Sequence, residues 1–297
     1  MTVTENETYE NSRFIVAVGN FDGVHEGHAA LIKTACAVSA RTGAVPAVFT
    51  FDGYAPKGGA KHIIPAEERG RLFRVSGISA VFSHPFDSVR DMTPAEFCRD
   101  VLCGQCRAAY VVCGYDFRFG KGASGDAAEL TAQMRRLGCG TVIHDEVKID
   151  GVTVSSTAIR RLLADGDTVT ASRMLGRPFS LSLPVIHGSH IGTGLGFPTI
   201  NQDYPDDITP LRFGVYATDV IIDGVPYRAV TNVGVKPTVG GGRVTVESHV
   251  LDCDMDLYGK NVMTQFKEFI RPERRFGSLE ELKAAITADT EKVREKK

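Results

Sequence analysis

The sequence predicts an amino-terminal α/β domain followed by a small antiparallel β-barrel with a closing helix, on three observations. The first half alternates short apolar runs with helical patterns, which argues a parallel sheet covered by helices. The second half replaces them with strands separated by Gly and Pro turns. Gly176-Arg177-Pro178 lies where the texture changes, so domains are expected at residues 1–178 and 179–297.

In order, Phe14 to Val18, Ala47 to Phe51, Ile78 to Phe82, Tyr110 to Cys113 and Thr141 to Ile143 read as strands. Thr93 with Glu96, and Asp126 with Glu129, place an N-cap oxygen three residues before a carboxylate and so mark helix starts. Thr157 to Ala164 and Thr168 to Leu175 read as short helices leading to the boundary. Beyond it, Leu181 to Ile186, Val215 to Ile222, Tyr227 to Thr231, Val244 to Leu251 and Val262 to Phe269 read as strands, with a hairpin at Asp223-Gly224. A last helix starts at Ser278, capped by Glu281.

A length of 297 residues suits two domains, and 43% hydrophobic with 24% charged residues is an ordinary globular balance. The formal net charge of -2 removes the general electrostatic case for nucleic acid or an anionic membrane as partner. No apolar run suffices to span a bilayer, and the polar, acidic start is unlike a secretory signal. Seven cysteines, an odd number, read as free thiols of a reducing cytoplasm. Cys98, Cys103, Cys106 and Cys113 are spaced somewhat like an iron-sulfur ligand set, but the first three continue the helix begun at Thr93 and the fourth ends a strand, so no metal is expected there.

Gly19-Asn20-Phe21-Asp22-Gly23-Val24-His25-Glu26-Gly27-His28 directly follows the first strand and opens a helix. Glycines let the backbone approach a ligand, and a helix N-terminus offers unpaired N–H groups and partial positive charge to phosphates. His25 and His28, three apart, can both donate to phosphate oxygens and stabilise departing pyrophosphate. The dinucleotide fingerprint G-x-G-x-x-G is absent. A second cluster, Val154-Ser155-Ser156-Thr157-Ala158-Ile159-Arg160-Arg161, combines hydroxyls at a helix start with arginines one turn on, so that the hydroxyls and Arg160 can bind the same triphosphate. By itself the cradle reads phosphate and not the acceptor, which leaves adenylyl and cytidylyl transfer open.

In the second half, Gly192-Thr193-Gly194-Leu195-Gly196-Phe197-Pro198-Thr199-Ile200-Asn201 is a glycine-rich loop that can wrap phosphates, and it ends in two oxygens, on Thr199 and Asn201, that suit Mg2+. Val244 to Leu251 places Glu247 in an apolar strand, with His249 and Leu251 on its face and Val244, Val246, Ser248 and Val250 on the other. A carboxylate so placed can accept the proton of a substrate hydroxyl during phosphoryl transfer.

The pairing of G-N-F-D-G-V-H-x-G-H with S-S-T-x-I-R, and between them Gly114-Tyr115-Asp116-Phe117-Arg118-Phe119-Gly120-Lys121-Gly122, resembles the adenylyltransferase half of the bacterial bifunctional riboflavin kinase and FAD synthetase family. Gly194 to Asn201, Asn232-Val233-Gly234-Val235-Lys236-Pro237-Thr238, Val246-Glu247-Ser248-His249 and Phe269-Ile270-Arg271-Pro272-Glu273 look like its kinase half. The resemblance, over about residues 14 to 290, implies a Rossmann-like nucleotidyltransferase domain and a six-stranded antiparallel β-barrel with terminal helix. It implies a cytoplasmic enzyme that converts riboflavin to FMN and FMN to FAD, using ATP and Mg2+ for both. Carried over by position, His25 and His28 would hold ATP phosphates within Gly19, Phe21, Asp22, Gly23 and Gly27, with Ser156, Thr157 and Arg160 closing on them and Asp116 near nucleotide or flavin. In the kinase half, Gly194, Gly196, Phe197 and Pro198 would line the ATP site, Thr199 and Asn201 would bind Mg2+, and Glu247 would be the base. Three positions depart from the family pattern: Gly53-Tyr54-Ala55 replaces a proline-bracketed loop, Thr193 stands where an arginine is usual, and Ile200 replaces alanine. The first motivates an alternative, a riboflavin kinase whose first domain is an inactive or sensory nucleotide binder.

Overall fold

The structure is a computed structural model that describes residues 2–3, 9–52, 59–188, 196–238 and 241–295. The chain divides into two compact units, Met1–Ser156 and Thr157–Lys297, so the division falls inside a helix some twenty residues before the Gly176-Arg177-Pro178 signal.

The strands of the first unit are β1 (Thr2–Val3), β2 (Phe14–Val18), β3 (Val45–Asp52), β4 (Ala80–Pro85), β5 (Ala108–Gly114) and β6 (Gly140–His144). They form one sheet in the order β1-β4-β3-β2-β5-β6, parallel throughout except for β1 at the edge. All five residues of β2 are buried, so both faces of the sheet are covered, as a continuous apolar run requires. Phe14, Val16 and Val18 meet Phe97, Val101, Leu102, Leu130 and Met134 in one core cluster. Helix α1 (Glu26–Thr42) packs on β2, β3 and β5, burying Leu31, Ile32 and Ala35. It ends at Gly43, left-handed with φ 74°, the usual C-terminal stop. Helix α2 (Ala66–Val75) precedes β4.

Thr93 and Glu96 make the reciprocal capping box that the sequence signals, opening α3 (Pro94–Glu96). The expected helix through Cys98 to Cys106 is present, but Phe97–Gln105 winds as a π-helix, a local widening that no side-chain spacing announces. Asp126 caps α4 (Ala127–Arg136) through the Glu129 N–H. A two-stranded hairpin of β7 (Lys148–Ile149) and β8 (Val152–Thr153) leads to α5 (Ser156–Asp165) and α6 (Thr168–Leu175).

The second unit is built on β9 (Phe179–Pro184), β10 (Ile200–Asp203), β11 (Gly214–Ile222), β12 (Val225–Thr238), β13 (Gly241–Val250) and β14 (Asn261–Pro272). These form a six-stranded antiparallel sheet in the order β10-β13-β12-β11-β14-β9. Its two edges meet where the Ile186 N–H donates to the Asn201 carbonyl at 2.8 Å, and where the Gln202 amide donates to the Leu183 and Val262 carbonyls. The β11–β12 turn uses Asp223 at φ 51° and Gly224 at φ 82°, both left-handed, as the Asp-Gly pair predicts. Inside, buried Thr218, Thr231 and Ser248 hydrogen-bond in series at 2.6 and 2.8 Å, so these three hydroxyls are paired. On the outer face, helix α7 (Leu279–Glu295) covers Val215, Ala217, Val230 and Leu251 with Val293. Ser278 caps it by accepting the Glu281 N–H. Five of these strands follow the sequence pattern; β10, only four residues long, coincides with the expected end of the glycine-rich loop and becomes a strand through its pairing with β13.

Candidate functional sites

The parallel sheet reverses direction between β2 and β5: later strands add to β3 on one side and to β6 on the other. Ligands of open α/β sheets sit beyond the carboxyl ends of the strands at such a point. The Gly19 to His28 segment leaves β2 there, and Asp116 follows β5, the neighbouring strand, in an exposed position.

The segment is a strained loop. Phe21, Gly23 and Val24 all have positive φ, of 52°, 83° and 40°, although two of them carry side chains. Such strain persists only where surroundings fix it. Phe21 is fully buried edge-on to Phe73, and a Cβ on Gly19 would stand 3.4 Å from its ring. The Asp22 carboxylate accepts the Ile63 N–H at 2.9 Å and lies 3.9 Å from His62, while its carbonyl accepts the Ser156 hydroxyl at 2.9 Å. Asp22 and Ser156 thus brace the cradle. His25 is the N-cap of α1, its Nδ1 accepting the His28 N–H at 3.3 Å, and it stacks on the His28 ring with centroids 3.6 Å apart. Gly27 leaves the space: a Cβ there would stand 3.2 Å from the His25 imidazole. The sequence offers both rings to phosphate; in the structure the cap occupies His25 Nδ1.

Burial holds the His28 pKa well below the ordinary histidine value, with His25 and Arg69 adding to the effect. Its Nδ1 is enclosed without a hydrogen-bond partner among the described residues. Arg69, on α2, was not singled out from the sequence. Its guanidinium donates to the Asn20 carbonyl at 3.1 Å and the Phe51 carbonyl at 3.5 Å, bringing a cation to the cradle from 49 residues along the chain. One arginine in a polar run carries no signal of this. The His28 ring is also 5.0 Å from that of Phe21. Thr157 and Arg160 continue α5 within the second unit. Gly53-Tyr54-Ala55 lies outside the described residues.

In the second unit, Glu247 on β13 stands directly opposite Asn201 on β10 and Asn232 on β12. The row continues through Val215 to Arg271. Directly opposed residues share a face, so this is an outer row with apolar α7 cover at one end and a polar half around Glu247. Val246, Ser248 and Val250 turn inward, as the alternation predicts, and Glu247 is half-buried. Asn201 Nδ2 lies 3.3 Å from Thr199 Oγ1, so the extended end of the loop does put both side chains on one side. Gly188 packs so closely on the Asn201 amide that no side chain would fit there. His249 Nδ1 is 2.9 Å from the Pro198 carbonyl, and Phe197 meets the His249 ring edge-on at 5.3 Å, tying Gly196 to Asn201 onto the Glu247 strand. Gly194 and Thr193 lie outside the described residues.

Burial pushes the Cys98, Cys103, Cys106 and Cys113 thiols up to about 12, and no metal-holding group of three or more His, Cys, Asp or Glu side chains occurs among the described residues.

A glycine-rich loop and stacked histidine pair at the switch point of a parallel sheet, followed in the chain by a six-stranded antiparallel unit with an outward carboxylate, are the features of a two-unit nucleotide-dependent transferase. A family model described as FAD synthetase matches residues 7–158, and one described as riboflavin kinase matches residues 175–297. The bifunctional riboflavin kinase/FMN adenylyltransferase of Escherichia coli (strain K12) is 35% identical over 288 residues, covering 95% of this chain and 92% of its own. That of Pseudomonas fluorescens is 34% identical over 291 residues, covering 96% and 93%. The chain belongs to the bifunctional riboflavin kinase/FMN adenylyltransferase family. A crystal structure described as a macrolide-efflux protein from Streptococcus pneumoniae shares the fold, with a TM-score of 0.87 and 29% identity over 97% of this chain and 95% of that one. Among the described residues here, no helix is long and apolar enough to cross a membrane.

Proposed function

We infer that the chain phosphorylates riboflavin to FMN and adenylylates FMN to FAD, each step consuming ATP. The carrying observation is that each of the two separately compact units matches one of the two family models, the first carrying the stacked His25–His28 pair and the second the Glu247–Asn201 row. Relatives of matching length carry both activities in their names, which favours this reading over a kinase beside a sensory domain. We keep the functional boundary at 178/179, with 1–178 as adenylyltransferase domain and 179–297 as kinase domain. The odd set of seven cysteines suits a reducing cytoplasm.

In adenylyl transfer the FMN phosphate oxygen attacks the α-phosphorus of ATP and pyrophosphate leaves. The α1 N-terminus, with His25 and His28, supplies hydrogen bonds to the leaving phosphates, where negative charge grows. Gly19, Phe21, Asp22, Gly23 and Gly27 shape and brace that cradle, with Ser156 tied to it. Asp116, Thr157 and Arg160 are kept as nucleotide ligands on the strength of their motifs. In phosphoryl transfer the Glu247 carboxylate takes the proton of the riboflavin 5′-hydroxyl as that oxygen attacks the γ-phosphorus, and ADP departs. Gly194, Gly196, Phe197 and Pro198 would cover the nucleotide.

The Thr199 hydroxyl and the Asn201 side-chain amide, 3.3 Å apart through the amide nitrogen, lie on one side of the chain, and hydroxyl and amide oxygens are the hard donor type that fits Mg2+, which binds through few protein ligands and keeps waters. When bound, the ion neutralises charge on the nucleotide phosphates. Purified protein given riboflavin, ATP and Mg2+ should form FMN and then FAD, and given FMN and ATP it should release pyrophosphate with FAD. FMN formation without FAD from supplied FMN would instead support the sensory alternative.

A further inference from the structure

Glu273 is a second carboxylate beside the Glu247 row. It follows Pro272 at the end of β14, and its Oε1 accepts the Asn232 side-chain amide at 3.2 Å. Asn232 is the residue directly opposite Glu247. Gly234, two residues on and therefore on the same face of β12, makes the room: any side chain there would collide with the Glu273 carboxylate. Glu273 is exposed and Asn232 half-buried, so both remain open to a ligand.

We propose that Asn232 and Glu273 form a clamp for the ribityl hydroxyls of riboflavin, and so select flavins that carry a polyol chain. The proposal rests on Glu247 as the base of FMN formation. The substrate's terminal hydroxyl must lie within hydrogen-bond reach of Glu247. The next carbons of the ribityl chain each carry a hydroxyl, and Asn232 stands one strand over, about 5 Å away between Cβ atoms. An ionised carboxylate only accepts, and an amide both donates and accepts, which together match a row of hydroxyls. The flavin chain is uncharged, so nothing in the substrate opposes a second carboxylate. A plain staple, holding the segment after β14 onto β12, would use the same Asn232–Glu273 bond but would have no preference among flavins.

The test compares full-length Glu273→Ala and Glu273→Gln with the unaltered chain. Riboflavin KM and kcat are measured in FMN formation, and riboflavin and lumiflavin binding are titrated by flavin fluorescence without ATP. Lumiflavin has the ring system without the polyol. Glu273→Ala should weaken riboflavin roughly tenfold, as loss of a charge-assisted hydrogen bond does, while lumiflavin binding, the KM for MgATP and FAD formation from supplied FMN stay unchanged. Glu273→Gln should recover part of the loss. Unchanged riboflavin binding, equal weakening of both flavins, or a rise confined to the KM for MgATP would overturn the clamp. If Glu273→Ala does not fold, Asn232→Ala must show the same selective loss for the proposal to stand. Should Glu247→Gln retain FMN formation, the base assignment fails, while the riboflavin-to-lumiflavin difference still decides the clamp.

Discussion

His28 lies face to face on His25, the ring centroids 3.6 Å apart and the planes 14° from parallel. Two imidazolium charges at that distance repel unless an anion lies against them, so the pair is suited to a ligand that brings its own negative charge. In the proposed reaction, replacing His28 by Ala removes one donor from the leaving pyrophosphate. FAD formation from supplied FMN should fall on the order of 10²–10³-fold in kcat, with FMN formation from riboflavin unaffected. Steady-state assays of the two reactions on one preparation check both halves, and unaltered FAD formation would remove His28 from the chemistry.

The same pair gives a pH dependence. Burial first, then His25 and Arg69, hold folded His28 neutral well below the usual histidine range. An unfolded histidine takes up its proton near pH 6.5. Below that pH the unfolded chain therefore binds more protons here, so this contribution to stability is present above about 6.5 and is lost as pH falls toward the lower folded value. The melting temperature should drop on acidification from pH 7 to 5, and drop less in His28→Ala. Phosphates at the cradle favour the charged ring, so ATP binding should take up protons, measurable by calorimetry in buffers of differing ionisation heat.

The alternation of short strands and helices exposed the parallel sheet, and the Gly-rich lead before His25 exposed its switch-point site, because both depend on local patterns. Glu247 was readable for the same reason: period-two burial along β13 shows its face. Arg69 was not, since its partners Asn20 and Phe51 lie outside its own helix and no spacing encodes the contact. The π-helical turn at Phe97–Gln105 and the short β10 were hidden likewise. A π-turn keeps a helical composition, and Ile200 to Asp203 becomes a strand only through pairing with β13.

Glu247 separates the two activities. Its carboxylate stands on the outer row, flanked by Asn201 and Asn232, and is the proton acceptor we propose for FMN formation. Glu247→Gln keeps the shape and removes the basicity, so FMN formation should fall by roughly 10²–10⁴-fold, with riboflavin binding within a few-fold of normal. FAD formation from supplied FMN should persist at full rate. A matched loss of both would show that the substitution disturbs the chain rather than one reaction.

Arg271 and Asp289 fix the other end of that row. The guanidinium reaches the carboxylate through Nε at 3.0 Å and Nη2 at 2.7 Å, joining β14 to α7, and the Asp289 side chain is only 3% exposed. Removing one partner of a buried ion pair leaves the other charge desolvated and alone, which costs about 3 kcal/mol. Asp289→Ala should therefore lower the thermal transition of the unit that contains α7 by several degrees. Because α7 covers Val215, Ala217, Val230 and Leu251 on the face that carries Glu247, FMN formation should become heat-labile at temperatures where FAD formation from supplied FMN is still intact. Calorimetry with both assays across a temperature series checks this. Parallel inactivation of the two activities would mean that the ion pair does not act through the outer face.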